Sequence, residues 1–169
     1  MDNALVITFV IAIVVFIIGS LLVPYIREKR RKKKRNSLEA NTTKQMQLQA
    51  YERLILLVDR IALPNLIPRL GQPGFTANEM NKYIVDNIRQ EFEYNITQQM
   101  YVSKDAWSAV KNLKEQNIAI TSHIASLLPE TATGIDLCRV LAEFLLKDKR
   151  GTLHEMVSDV LSFEAKKLM

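Results

Sequence analysis

Residues 4–23, ALVITFVIAIVVFIIGSLLV, contain no charged side chain, and REKRRKKKR follows at 27–35. As a helix rising about 1.5 Å per residue, the first run is roughly 30 Å long, the thickness of a bilayer's hydrocarbon layer. Thr8, Gly19 and Ser20 are its only non-apolar members, and a helix accommodates small hydroxyls by bonding them to its own carbonyls. The second run holds eight Lys/Arg and one acid, a net of +7. Cations flanking a span are retained on the cytoplasmic side, so the expected topology is N-terminus out and C-terminus in. A cleaved leader would place its basic region before a shorter apolar core and end at a small-residue site. Here the basic block comes after, and PYIREKR at 24–30 offers no such site. The expected location is the inner (cytoplasmic) membrane, crossed once.

Charge divides unevenly. The chain's +5 splits into −1 for residues 1–26, +7 for 27–35 and −1 for 36–169. The remainder is nearly neutral, which argues against a nucleic-acid-binding face, and no nucleic-acid partner is expected. Arg27, Lys29, Arg30, Arg31, Lys32, Lys33, Lys34 and Arg35 form the one electrostatic attractor. Beyond setting topology, they are expected to contact anionic lipid headgroups, worth up to ~1 kcal/mol per side chain near the surface. The single cysteine, Cys138, rules out an intramolecular disulfide and, among Leu137, Val140 and Leu141, reads as a small core residue.

Past residue 36 the pattern is helical. Leu48, Tyr51, Ile55, Val58 and Ala62 predict a helix over about 38–62, and Pro64 to Gly74 then breaks the chain around one short turn. Thr76-Ala77-Asn78-Glu79 is a capping box opening a helix expected to reach Met100, with Met80, Ile84, Ile88, Phe92, Ile96 and Met100 at every fourth position. Ser103 is an N-cap candidate for the next helix. Its seam, Ala106, Val110, Leu113, Asn117, Ile120, Ile124 and Leu127, recurs at alternating steps of four and three, ending at Pro129. A fourth helix is expected over 134–149. A last one should open with a second box, Thr152 to Glu155, and bury Met156, Val157, Val160 and Leu161. The expected fold is all-α: a transmembrane helix (1–26), a polybasic juxtamembrane segment and stalk (27–47), and a cytoplasmic antiparallel helical bundle or hairpin domain (48–169). For 24–47, a continuous helix and a hinge both stand open.

YERLILLVDR at 51–60, RQEFEYNITQQMYVS at 89–103 and Trp107 give the chain a resemblance. It resembles an uncharacterised family of small bacterial single-span membrane proteins with a helical domain of unknown function. The resemblance covers roughly 48–128 together with the upstream anchor and basic run, and it implies architecture only. It brings no activity, substrate or catalytic residue.

Chemistry-bearing motifs are missing. The residues three before His123 and His154 are Ile120 and Gly151, so neither histidine has the Glu-x-x-His spacing of a di-iron bundle. His154-Glu155 does not extend to HExxH, Gly71-Gln72-Pro73-Gly74 is no phosphate loop, and GxSxG does not occur. No catalytic residue, cofactor or metal is expected. Asn87, Glu91, Asn95 and Gln99 form a polar row beside the apolar stripe of the 76–100 helix. That row reads as a solvated flank, as a hydrogen-bond row facing Lys114 or Asn117, or as a ligand or partner site. Asn117, polar within an apolar seam, is a register or oligomer determinant. Trp107, with Tyr94 and Tyr101, reads as packing at a hairpin end or as a docking anchor.

The function these features imply is a membrane-anchored cytoplasmic interaction or scaffold protein without catalytic activity. Its partners would be the anionic bilayer, a protein that the sequence does not name, and as a further candidate a second copy of itself. The alternative is a small accessory subunit of a membrane-embedded complex for secretion, transport or energy coupling.

Overall fold

The computed structural model describes the backbone of residues 3–147 and 152–169, and the side chains of 27–35, 38–147 and 152–169. Within these limits the chain is all-helical: α1 (Asn3–Ile61), α2 (Leu63–Leu70), α3 (Ala77–Tyr94), a 3₁₀ turn (Ile96–Met100), α4 (Lys104–Leu127), α5 (Gly134–Lys147) and α6 (Leu153–Lys167). It divides into two units, Met1–Lys44 and Gln45–Met169. From Asn3 onward the first is α1 backbone, and residues 24–47 lie inside that helix. The apolar run at 4–23 falls outside the residues whose side chains are described. Among the described residues, no helix is long and apolar enough to cross a membrane.

The second unit is built around the end of α1. Tyr51, Leu54, Leu57, Val58 and Ile61 are buried there at helical spacing, with Leu63, Leu66 and Ile67 of α2 continuing the core. Ala62 turns the chain out of the helix with φ −58° and ψ 121°. Pro64 has no N–H to give the Arg60 carbonyl, so the break leaves acceptors open. Side chains fill them: Asn65 Nδ2 donates to the Asp59 carbonyl (3.2 Å), Arg69 to that of Arg60 (3.1 Å), and Asn117 Nδ2 to that of Ile61 (2.8 Å). Past the break the chain makes a full eight-residue helix rather than a single turn, with Pro64 placed in its first turn where no N–H is required.

α3 and α4 are antiparallel. Phe92, late in α3, stacks at 5.0 Å on Trp107, early in α4, while Asn81 Oδ1, early in α3, accepts from Ser122 Oγ, late in α4. The Thr76–Glu79 box forms as expected: one Glu79 oxygen accepts from both the Thr76 N–H and its hydroxyl, at 2.9 Å each. Ser103 caps α4 by accepting from the Ala106 N–H. The expected end at Met100 is wrong. Asn95 N donates to the Phe92 carbonyl and its side chain folds back onto the Glu91 carbonyl, tightening the chain into a 3₁₀ turn that leaves Ile96 and Met100 exposed.

A second correction concerns caps. Thr152 makes no side-chain cap on α6. The second box is at Thr133, whose N–H and hydroxyl both donate to one Asp136 oxygen at 3.1 and 2.7 Å, opening α5. The two boxed starts lie side by side, joined by an isolated antiparallel bridge. In it, Ala77 N–H donates to the Ala132 carbonyl and Gly134 N–H to that of Phe75. A Cβ on Gly134 would stand 3.0 Å from Met80 Cβ and 3.3 Å from Phe75 Cβ, so any other residue here would have to push these neighbours back. In α6, Val157 and Leu161 are buried as expected, but Met156 and Val160 are exposed.

Two measurements probe these helix ends. Asn117→Leu strands the buried Ile61 carbonyl and should destabilise the fold by about 1–3 kcal/mol, measured by urea unfolding. Hydrogen bonds from Thr76, backbone first, hold the Glu79 carboxyl below its ordinary pKa, and those from Thr133, hydroxyl first, do the same for Asp136. A depressed folded pKa contributes stability that is complete above the unfolded carboxyl range of about 4 and is lost as pH falls through the lower folded value. The double variant E79Q/D136N should therefore show a shallower loss of thermal midpoint than wild type between about pH 5 and 3.

Candidate interaction site

The basic residues come first. Arg27 and 29–35 are all exposed on α1. Lys32 pairs with Glu28 at 2.8 Å and Arg35 with Glu39 at 3.5 Å, both on the helix surface, where such pairs contribute little. Among the described residues, Arg27, Lys29, Arg30, Arg31, Lys33 and Lys34 have no carboxylate partner, so their charge is open to an external anion.

The polar row does not survive as a unit. Asn87 Nδ2 donates to the Tyr83 carbonyl and Asn95 Nδ2 to that of Glu91, each within its own helix. Gln99 lies exposed in the 3₁₀ turn, past the end of α3, while its neighbour Gln98 is buried. Glu91 turns to α1, where Arg60 reaches both its oxygens at 3.3 Å. Neither expected partner faces the row. Asn117 is buried on the Ile61 carbonyl, and the Lys114 ammonium sits 4.5 Å above the Phe92 ring and 2.8 Å from Glu115. The row's neighbourhood is nonetheless concave: Arg60, Asn87, Gln90, Glu91 and Tyr94 line a shallow cleft of about 270 Å³. Tyr94 is 76% exposed at its edge, whereas Trp107 is half-buried against Phe92. Of the three aromatics, Tyr94 is exposed while Tyr101 and Trp107 are half-buried.

Two longer grooves carry no signal in the sequence. Gln116, Ala119, Ile120, His123, Ile124 and Phe144 line one of about 540 Å³ between α4 and α5. Ile55, Leu56 and Val58 of α1 floor another of about 460 Å³, with Asp59, His154, Glu155 and Asp159 among its walls. No motif marks either, because each is assembled from two helices, neighbours in the chain for the first groove and the first and last for the second. Among the described residues, no three His, Cys, Asp or Glu side chains converge to hold a metal ion. Burial raises the pKa of the half-buried Cys138 thiol.

Tyr51 ties the helices that frame these surfaces. Its hydroxyl donates to Glu164 of α6 at 2.6 Å and accepts from the Ser103 N–H at the start of α4 at 3.1 Å. Burial, reinforced by the Glu164 hydrogen bond, raises the tyrosine's pKa. The same contacts set direction. Tyr51 is level with Ser103 and Ile61 with Asn117, so the end of α1 runs parallel to α4; α6 runs against both, with Glu164 at Tyr51 and His154 beside Ala62 and Pro64.

The family of unknown function DUF7935 matches residues 2–168, nearly the whole chain. The chain belongs to that family. No curated protein and no solved structure matches it. Membership in DUF7935 thus embraces the N-terminal run and the helical unit together.

Tyr51→Phe should loosen α6 and the first turn of α4, the two elements that its hydroxyl joins to α1. Loss of the donor to Glu164 should cost about 1–3 kcal/mol. Amide exchange should quicken in α6 and at Ser103, whose N–H loses its acceptor at the start of α4, while α3 keeps its protection, as hydrogen-exchange mass spectrometry would show.

Proposed function

We propose that this DUF7935 protein is a single-span, membrane-anchored interaction module of bacterial origin whose helical unit recruits or scaffolds another protein at the cytoplasmic face and catalyses no reaction. One observation carries the reading: a charge-free run of twenty residues abuts a block of net charge +7. That order of apolar rod and cationic foot is how a chain is inserted with its C-terminal part inside. The six cations without a carboxylate partner support a second role, attraction to anionic headgroups within a Debye length of the surface. Recruitment is supported by surface features of the helical unit: exposed Tyr94, two interhelical grooves, and large apolar side chains turned outward on α6. Isolated apolar residues are ordinary on a surface, but ones aligned along a helix are a means of association.

The test is topological. In a Cys138→Ala background, Met169→Cys at the exposed C-terminal residue should resist an impermeant maleimide on intact cells and react after permeabilisation. Labelling of intact cells would reverse the orientation, and recovery of the chain in the soluble fraction would remove the anchor. The accessory-subunit reading rests on the same run at 4–23. It predicts co-purification with integral proteins that is lost when the run is exchanged for an unrelated span.

A further inference from the structure

α6 has two apolar faces, and the fold uses one. Val157 and Leu161 are buried, whereas Met156, Val160 and Phe163 are 57%, 43% and 61% exposed. The exposed three recur at steps of four and three and so form one stripe, which Lys167 extends by another turn. The Lys167 ammonium lies 4.1 Å above the Phe163 ring and closes the stripe at its C-terminal end.

Charge along the helix decides what fits this stripe. Glu155 and Asp159 lie in the first half of α6 and Lys166 and Lys167 in the last turn. Among the described residues, none of these four has an ion-pair partner. Asp159 and Lys166 are seven residues apart and therefore on the same flank. Glu164, the remaining acid, faces inward to Tyr51. A second α6 laid antiparallel, with Val160 against Phe163 of the other copy, brings Asp159 beside Lys166 of the other copy, and Glu155 beside its Lys167. Two-fold symmetry makes each pairing twice. A parallel pairing would instead bring the two acidic halves level with each other at one end and the two lysine ends level at the other, with no acid matched to a lysine.

We propose that the outer face of α6 is a self-association surface, on which two copies of this chain pair antiparallel through Met156, Val160 and Phe163. The pairing stands on α6 alone and does not depend on the chain being anchored. A single helix pair buries less than the roughly 1,200 Å² of a stable interface, so the dimer is weak and concentration-dependent.

Sedimentation equilibrium of the full-length chain, in density-matched mild detergent, tests it. Wild type should associate reversibly. Asp159→Lys and Lys166→Asp, each alone, should raise the dissociation constant about tenfold. Asp159→Lys with Lys166→Asp together should restore it, because the swapped charges face each other again. Phe163→Ser, at a position outside the core, should abolish association with helix content unchanged. A wild-type chain that stays monomeric would overturn the proposal. So would association insensitive to all four variants, which would place the contact elsewhere. Loss in both single variants without recovery in the double would exclude the antiparallel register.

Discussion

A helix that stops at the edge of a core leaves its last carbonyls open, and the one that is buried must be paired from within the protein; the second unit is arranged around that requirement. Pro64 ends α1 by withholding an N–H, and three carbonyls in succession would be left open. Asn65 and Arg69 arrive from α2, the next few residues of chain. Asn117 arrives from the middle of α4, fifty-six residues on. The first two are local consequences of the break. The third locks the axial position of α4 against α1, since a slip of one turn would bury both an amide and a carbonyl unpaired.

Tyr51 repeats that logic ten residues earlier, on the same two helices. One hydroxyl, used as donor and acceptor, joins α1 to the cap of α4 and to α6. With Asn117 it fixes two points along the α1–α4 pair, enough to determine both register and direction. The apolar stripes between these points supply the bulk of the stabilisation but specify little, because a stripe packs nearly as well one turn further along.

How much of this could be read beforehand depends on distance along the chain. The helices at 77–94 and 104–127 announced themselves by period and by the caps at Thr76 and Ser103, all short-range signals. Asn117 stood out as a polar residue in an apolar seam, but nothing in the sequence pointed to a carbonyl at 61. Ile96 and Met100 continued the fourfold spacing past the real end of α3, and a period alone does not reveal that Asn95 turns back on its own helix. In α6 the pairs Met156/Val160 and Val157/Leu161 share one spacing, so hydrophobicity could not say which faces inward. The box at Thr133 was legible in principle, since Thr-x-x-Asp has the same reach as Thr-x-x-Glu less one methylene. Of the candidate site residues, Glu91, Asn95 and Gln99 looked equivalent by spacing and have separate fates, because α3 ends at Tyr94: the first lies inside it, the second caps it and the third falls in the 3₁₀ turn beyond.

The joined starts of α3 and α5 have a consequence for how this fold can vary. Two backbone hydrogen bonds and a glycine notch hold these helices to one common ledge, so neither can slide along its axis without dragging the other. An insertion between Thr76 and Ala77, or between Thr133 and Gly134, would disturb both helix starts at once. Length changes are better absorbed just upstream, in the turn at Gly71–Gly74, where Gly74 takes φ 98° and a Cβ there would meet nothing within 4 Å. That stretch is the fold's expansion joint.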